Sequence, residues 1–246
     1  MILKTGQTKG IKMYKYLLWD IDGTVLDFLA AEAYAIRVLF KKYNIGECSE
    51  KMLKQYSEIN SKYWRMLEVG KLTKPEILVG RFREFFEEIG VDAAIAEAFN
   101  ADYQLTLGDH IEFVDNAKDI LLSKKEEYTI AAVTNGTKVA QEKKLRVSGL
   151  DEIFDAVFIS EDIGAEKPAK EFFDYVFDKL CITDKKEALI IGDSLTGDMR
   201  GGELAGIDTC WYNPMHKPNT LNVQITYEID NLDKLEAILA DKRRNI

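Results

Sequence analysis

Acidic side chains follow two of the apolar runs in this sequence, at the points where buried strands are expected to end. Asp20 and Asp22 come after the run at residues 16–19, and Asp193 comes after the run at residues 188–191. In open parallel sheets, ligands bind at the carboxyl ends of the strands. Carboxylate oxygens are the ligands that Mg²⁺ prefers in proteins. We therefore expect a magnesium site formed by the Asp20 and Asp193 carboxylates and the backbone carbonyl of Asp22.

Residues that suit phosphate binding follow the other two apolar runs. Thr134 follows the run at residues 128–133, with Asn135 and Gly136 directly behind it, and Lys167 lies in the loop after the next run. A hydroxyl, an ammonium and backbone N–H groups at one sheet edge can neutralise the oxygens of a phosphoryl group. The pattern predicts phosphoryl transfer, with Thr134 and Lys167 as catalytic residues and with Asn135 and Gly136 binding the phosphate.

The two acids after the first strand suit complementary roles in such a reaction. Asp20 is expected to attack phosphorus in line and to form an aspartyl-phosphate. Asp22 is expected to protonate the leaving oxygen and later to deprotonate water. Backbone N–H groups just after Asp20, with Gly23 among these residues, are expected to contact the transferring oxygens.

Composition limits the partners and the location of the chain. Its 246 residues carry 33 Lys and Arg against 42 Asp and Glu, a net charge of −9, which argues against binding to nucleic acid or to an anionic membrane surface. No apolar run approaches the roughly 18 residues of a membrane span. Three widely spaced cysteines and two histidines favour a hard, oxygen-ligated metal. We predict a cytoplasmic enzyme with a small-molecule substrate, either monomeric or weakly homodimeric.

Periodicity predicts the elements that position these side chains. The first strand is followed by a long helical stretch, whereas strands and helices alternate after about residue 108, which is typical of a parallel sheet with helices on both faces. The predicted fold class is α/β, a Rossmann-like parallel sheet with an all-helical cap domain inserted after the first strand. The predicted divisions are an N-terminal tail at residues 1–12, the core at residues 13–28 and 108–246, and the cap at residues 29–107.

The order of these motifs resembles that of the haloacid dehalogenase-like (HAD) superfamily. The resemblance lies in Asp20-Ile21-Asp22-Gly23-Thr24, Thr134-Asn135, Lys167-Pro168 and Gly192-Asp193-Ser194 with Asp198. It implies that Asp20 is the nucleophile, that Asp22 is the acid and base, and that the last motif binds Mg²⁺. Ser194 and Asp198 would then lie outside the metal ligands, with Asp198 orienting the metal site or Lys167. The presence of Asp22 implies phosphate-ester hydrolysis or a phosphomutase rather than dehalogenation.

Substrate-binding residues are expected in the helical cap. Asn60, Trp64 and Arg81 belong to an aromatic and basic set on adjacent helices, which suits a flat base stacked on an aromatic ring and a phosphate or carbonyl met by Arg81. Alternatively, Trp64 and Phe82 form the core of the cap and Arg81 is a solvated surface residue. The spacing is similar to that of the YjjG-type pyrimidine 5′-nucleotidases, which implies a nucleoside monophosphate as substrate.

Three other functions fit part of the pattern. A sugar-phosphate phosphatase or a β-phosphoglucomutase-like phosphomutase shares the fold, the cap and the acid pair, and the lifetime of its aspartyl-phosphate would distinguish it. A signalling receiver domain also combines acids, a threonine and a lysine, but it has no helical insertion. A silent binding protein would have lost a nucleophile or a metal ligand, and both are present.

Overall fold

The computed structural model describes residues 14–240, which form a parallel sheet flanked by helices. The strands are β1 (Tyr16–Trp19), β2 (Thr129–Thr134), β3 (Ala156–Ile159), β4 (Ala188–Gly192), β5 (Asp208–Tyr212) and β6 (Tyr227–Ile229). Their order is β3-β2-β1-β4-β5-β6, and every neighbouring pair is parallel. The predicted α/β class with a Rossmann-like sheet is therefore confirmed, whereas the expected tail at residues 1–12 lies outside the described residues.

Helices occupy the connections from β1 to β5, and one helix follows β6. They are α1 (Phe28–Lys42), α2 (Glu50–Glu68), α3 (Lys74–Ile89), α4 (Ala96–Thr106), α5 (Ala117–Lys124), α6 (Lys138–Ser148), α7 (Ser160–Ile163), α8 (Lys170–Leu180), α9 (Arg200–Ala205) and α10 (Leu235–Ala240). Within residues 14–240, no helix is both long enough and apolar enough to cross a membrane. The cytoplasmic location and the oligomeric state stay predictions.

The central position of β1 brings the predicted site residues to one edge of the sheet. Trp19, at the end of β1, is in register with Ala132 of β2 on one side and with Ile191 of β4 on the other. The residues that follow these three strands consequently lie at similar positions along the strand direction, at one edge of the sheet. Helices cover both faces of the sheet, so the side chains on both faces of these strands are buried. The strands are therefore continuous apolar runs in the sequence.

Helices α1 to α4 form an insertion between β1 and β2, which we call the helical insertion. It contains most of a hydrophobic cluster that also includes Ala140 of α6 and is rich in aromatic side chains such as Tyr56, Phe82 and Phe99. Helix α3 has Thr73 as its N-cap, and Glu76 accepts hydrogen bonds from the backbone N–H and hydroxyl of Thr73 at 2.8 and 2.6 Å. The division into core and cap domains stays a proposal.

Two short elements go beyond what the sequence predicts. A π-helical turn at Leu195–Met199 precedes α9. The short edge strand β6 was not predicted, because three residues are too few to show an alternating or continuous apolar pattern.

Candidate active site

A cavity of about 780 Å³ lies between the carboxyl edge of the sheet and the helical insertion. Its lining residues at the sheet edge include Asp20, Asp22, Thr134, Asn135, Gly136, Lys167, Asp193, Ser194 and Asp198. Those from the insertion include Phe28, Asn60, Trp64, Glu68, Val69 and Lys71. The structure thus brings together nearly all of the residues that the sequence nominated at the strand ends.

Asp20 lies directly after β1 and is only 8% exposed. Its backbone N–H donates to Ile191 at 2.9 Å, which continues the β1–β4 ladder by one residue. Its carboxylate accepts from Lys167 Nζ at 2.8 Å through Oδ1 and from the Thr24 hydroxyl at 3.2 Å through Oδ2. Burial raises the pKa of Asp20 well above its usual range, and the Lys167 charge opposes that rise.

The ammonium of Lys167 has an acceptor for each of its three protons. Nζ donates to Asp20 Oδ1 at 2.8 Å, to the Val133 carbonyl at 2.7 Å and to Asp198 Oδ1 at 2.6 Å. Burial disfavours the charge, but the Asp198 and Asp20 carboxylates outweigh it and raise the pKa of Lys167 above its usual value. The Asn135 side chain holds the backbone of Lys167 in place. Its oxygen accepts from the Lys167 N–H at 2.8 Å, and its nitrogen donates to the Lys167 carbonyl at 2.9 Å.

Carboxylate oxygens of Asp20, Asp193 and Asp198 lie within 4.8 Å of one another. Burial, followed by the negative charge of Asp198, raises the pKa of Asp193 to about 7. Such mutual repulsion is relieved by a bound cation, and three hard oxygen donors fit Mg²⁺. The Asp198 carboxylate belongs to this acidic cluster as well as contacting Lys167, so it lies closer to the expected metal position than the sequence suggested.

The Asp22 side chain turns away from the acidic cluster, toward helix α6. Gln141 Nε2 donates to Asp22 Oδ2 at 2.6 Å, and Lys144 Nζ donates to Oδ1 at 2.5 Å. Sequence reasoning missed both partners. Their spacing of i and i+3 on one helix, directly after the Thr134 motif, places them on a common face and is the signal that could have revealed them.

Two glycines allow the close approaches in this site. Gly23 has φ of +92°, and a Cβ there would lie 2.9 Å from Asp193 Oδ2. It does not line the cavity but lies against the acidic cluster. A Cβ on Gly136 would lie 2.1 Å from Gln141 Nε2, and its backbone N–H donates to the Thr134 hydroxyl at 3.0 Å.

Ser194 contacts a residue of the insertion that the sequence did not single out. Its hydroxyl lies 3.1 and 3.2 Å from the two carboxylate oxygens of Glu68, the last residue of α2. Thr196 also donates to Glu68. The glutamate therefore connects the insertion to the loop after β4. Nothing in a single glutamate at a helix end distinguishes it from a solvated residue, so the sequence carried no signal.

The three residues nominated in the insertion divide into two groups. Asn60 and Trp64 line the cavity. Arg81 does not line it, because its side chain is 1% exposed and donates to Asn60 Oδ1 at 2.6 Å and to Asn100 Oδ1 at 3.2 Å. Its guanidinium packs 5.0 Å from the Phe82 ring centre. The structure therefore places Arg81 in the interior of the insertion, neither at the substrate nor in solvent.

Known proteins match most of this chain. The family described as haloacid dehalogenase-like hydrolase matches residues 17–212. The HAD-hydrolase YfnB of Bacillus subtilis is 43% identical over 229 residues, covering 93% of this chain and 97% of YfnB. The crystal structure of YfnB bound to magnesium matches with a TM-score of 0.86 and 42% identity, covering 93% of this chain and 99% of that one.

Two further relatives have names that state a substrate. The pyrimidine 5′-nucleotidase PynA of Streptococcus pneumoniae is 37% identical over 235 residues, covering 93% of this chain and 98% of PynA. The pyrimidine 5′-nucleotidase YjjG of Escherichia coli is 28% identical over 228 residues, covering 92% of this chain and 98% of YjjG.

Proposed function

This chain belongs to the haloacid dehalogenase-like hydrolases, and on that premise we propose that it is a magnesium-dependent phosphatase for nucleoside 5′-monophosphates, with pyrimidine bases preferred. Membership of the family confirms the resemblance inferred from the motifs and the expectation of a phosphoric monoester hydrolase. One observation carries the proposal. Asp20, Lys167 and the acidic cluster converge at one wall of a cavity whose opposite wall is the helical insertion.

Asp20 is the proposed nucleophile. One of its carboxylate oxygens bonds to phosphorus while the bond between phosphorus and the alcohol oxygen breaks, which leaves an aspartyl-phosphate. The hydrogen bonds from Lys167 and Thr24 hold the carboxylate in a fixed orientation before the substrate arrives. Pre-organisation of this kind lowers the barrier because little reorientation is needed during the reaction.

Asp22 is the proposed acid and base. It gives its proton to the departing alcohol oxygen in the first step. In the second step it removes a proton from a water molecule whose oxygen attacks phosphorus. The bond between phosphorus and Asp20 then breaks, inorganic phosphate leaves, and both carboxyl groups return to their starting states.

Positive charge at the phosphoryl oxygens completes the proposed mechanism. The carboxylates of Asp20, Asp193 and Asp198 would hold Mg²⁺, and the ion would supply positive charge that neutralises the transferring oxygens. Lys167 contributes its charge at a distance, since its three protons are already donated within the protein. The Thr134 hydroxyl at the cavity wall can donate directly to an oxygen of the phosphoryl group.

The nucleotide substrate rests on the cavity and on the relatives. A volume of about 780 Å³ lies within the range of small-molecule sites. Trp64 provides an aromatic surface and Asn60 an amide at the wall formed by the insertion, which suits a base with hydrogen-bonding edges. PynA and YjjG, both named pyrimidine 5′-nucleotidases, match almost the whole chain.

A phosphate-release assay tests this function. Purified protein with MgCl₂ is expected to hydrolyse uridine and cytidine 5′-monophosphates with higher kcat/KM than purine nucleotides or sugar phosphates. Asp20→Asn should abolish turnover on every ester while the melting temperature stays close to that of the parent. A preference for sugar phosphates, or an aspartyl-phosphate that persists in excess Mg²⁺, would instead favour the sugar-phosphate phosphatase or the phosphomutase.

A further inference from the structure

A carboxylate of the helical insertion is built into the loop that carries the acidic cluster. The Ser194 hydroxyl donates to Glu68 and accepts from the Gly197 backbone N–H at 2.9 Å. The Ser194 backbone N–H in turn donates to Asp198 Oδ2 at 3.1 Å. A Cβ on Gly197 would lie 2.6 Å from Glu68 Oε1, so the glycine is what lets the glutamate approach. Glu68 therefore bonds directly to Ser194, which follows Asp193 in the chain and contacts Asp198 through its backbone N–H.

A lysine makes a second connection six residues further along the insertion, at the start of α3. Lys74 is 7% exposed, and its Nζ donates to the hydroxyl of Ser160 at 2.6 Å. It also forms an ion pair with Glu166 at 3.5 Å. Ser160 is fully buried directly after β3, and Glu166 immediately precedes Lys167. Lys74 thus fastens the insertion to the loop that carries the catalytic lysine.

The two connections enclose a single turn. Residues 69–73 join α2 to α3, and within this turn Val69 and Lys71 line the cavity. Both side chains are withdrawn from solvent, fully for Lys74 and partly for Glu68, and both are hydrogen-bonded. They therefore hold this turn at both of its ends, each on a different loop of the site.

We propose that Glu68 and Lys74 are positioning residues for the phosphatase reaction, acting as a clasp that docks the turn at residues 69–73 onto the loops of Asp193 and Lys167. The proposal rests on the proposed function and deepens it. With the clasp closed, Glu68 orders the loop that presents Asp193 and Asp198, and Lys74 holds the cavity wall against the substrate. The turn at residues 69–73 is then fixed to the loop of the acidic cluster at one end and to the loop of Lys167 at the other.

Substitution of Glu68 and substitution of Lys74 should change different measured quantities. Removing a group that orients metal ligands typically costs 10–100-fold in metal affinity or activity. We expect Glu68→Ala to raise the dissociation constant of Mg²⁺ about 10-fold and to lower kcat on every ester. Glu68→Gln should show a smaller effect, because its amide oxygen still accepts one hydroxyl. Lys74→Met should leave Mg²⁺ affinity unchanged and raise KM for uridine 5′-monophosphate. In Lys74→Arg, the KM for this nucleotide should lie between those of the parent and of Lys74→Met.

The experiment measures Mg²⁺ binding by titration calorimetry with MgCl₂ alone, together with steady-state kinetics and melting temperatures of the full-length protein. Glu58→Gln is the matched control, since Glu58 is an exposed glutamate on the same helix. Because both side chains hold one turn, their effects should not be independent. The reduction in kcat/KM for uridine 5′-monophosphate in the double variant Glu68→Ala with Lys74→Met should be smaller than the product of the two single reductions.

Each result decides for or against the clasp. Parental Mg²⁺ affinity and parental kcat in Glu68→Ala, or an equal loss in Glu58→Gln, would overturn it. If Glu68→Ala does not fold, the same comparison is made with Glu68→Gln, which is nearly isosteric. A parent protein that releases no phosphate from any ester refutes the proposed function, whereas Mg²⁺ binding by the same variants still tests the role of Glu68.

Discussion

Lys144 donates a hydrogen bond of 2.5 Å to Asp22, although 122 residues separate them in the chain. The lysine side chain is 2% exposed, and Gln141 binds the other oxygen of the same carboxylate. Both oxygens of the proposed acid and base are therefore held by one face of α6. That helix follows the loop of Thr134, so the proposed acid and base is held by an element that begins next to the proposed phosphate-binding residue.

The first prediction tests this arrangement through the leaving group. Asp22→Asn should reduce kcat on uridine 5′-monophosphate by about 10²–10⁴-fold, which is the usual value of general acid and base catalysis. It should reduce kcat on p-nitrophenyl phosphate much less, because that leaving group needs little protonation. Lys144→Met should change the two substrates in the same unequal way, since it leaves Asp22 misoriented.

The matched control is Glu142→Gln, because Glu142 lies on α6 beside these residues with a side chain 60% exposed. It should keep parental kinetics on both substrates. Equal losses on the nucleotide and on the aryl phosphate in Asp22→Asn would contradict the acid role.

The second prediction concerns the glycine beside the acidic cluster. Gly23→Ala introduces a methyl group 2.9 Å from Asp193 Oδ2 at φ of +92°, so the aspartate must move. Gly46→Ala is the control, since it has φ of +109° and nothing within 4 Å. Both variants should lose about 1 kcal/mol or more of stability from backbone strain. Only Gly23→Ala should also lose Mg²⁺ affinity, as measured by titration calorimetry.

The third prediction follows from the chemistry of the donor set. Activity should disappear in EDTA and return with excess Mg²⁺, whereas Ca²⁺ should restore it poorly. Calcium takes six to eight ligands at longer distances than Mg²⁺, which would displace the Asp20 oxygen from its line of attack. Phosphate release from p-nitrophenyl phosphate measures the effect, and full activity in EDTA would refute a metal-dependent site.

The sheet and the edge that holds the candidate site could be predicted because both are local properties of the sequence. A buried parallel strand is a short apolar run, and the polar residue that ends it belongs to the ligand-binding edge. Asp20, Thr134 and Asp193 were found in this way, and Lys167 was found in the loop that follows a strand.

Contacts between distant helices and the strand ends could not be predicted by the same route. Glu68 lies 126 residues before Ser194 in the chain, and its partner depends on how the insertion packs against the sheet. Arg81 was misjudged for a related reason. An arginine is usually exposed, and only the packed helices show that two asparagines and aromatic rings bury this one.

The fourth prediction concerns the pH dependence of folding stability. Burial raises the pKa of Glu32 to about 7, although the hydrogen bond from Ser57, the charge on Arg81, the hydrogen bond from Asn60 and the charge on Lys144 all lower it. The folded state therefore holds a proton that the unfolded state, with a carboxyl pKa of about 4.3, has already released. The stability that this proton contributes is present below about pH 4 and is lost as the pH rises to about 7.

Glu32→Gln removes this titration and should flatten the pH dependence of unfolding. In the parent, the free energy of unfolding should fall by on the order of 2–4 kcal/mol more between about pH 5 and about pH 8 than in the variant. Urea denaturation in EDTA at a series of pH values measures the difference without a contribution from bound metal. Identical pH profiles for the parent and for Glu32→Gln would contradict the prediction.

The last prediction separates substrate binding from support within the insertion. Trp64 lines the cavity, so Trp64→Ala should lose the stacking of the base, which is worth about 1–3 kcal/mol on nucleic-acid-binding surfaces. This corresponds to a reduction of about 5- to 150-fold in kcat/KM for uridine 5′-monophosphate. Activity on p-nitrophenyl phosphate should change little, because remote binding energy matters only for a substrate with a remote part.

Arg81→Met should behave in the opposite way, because its guanidinium lies behind the cavity wall. Its loss leaves the buried side-chain oxygen of Asn60 without its cationic donor, at about 1–3 kcal/mol, and also takes one donor from the partly buried Asn100. The melting temperature should fall, and both substrates should lose activity together. The guanidinium also packs 5.9 Å from the Trp64 ring, so a selective loss on the nucleotide in Arg81→Met would instead show that its chief role is to hold Trp64 for the base.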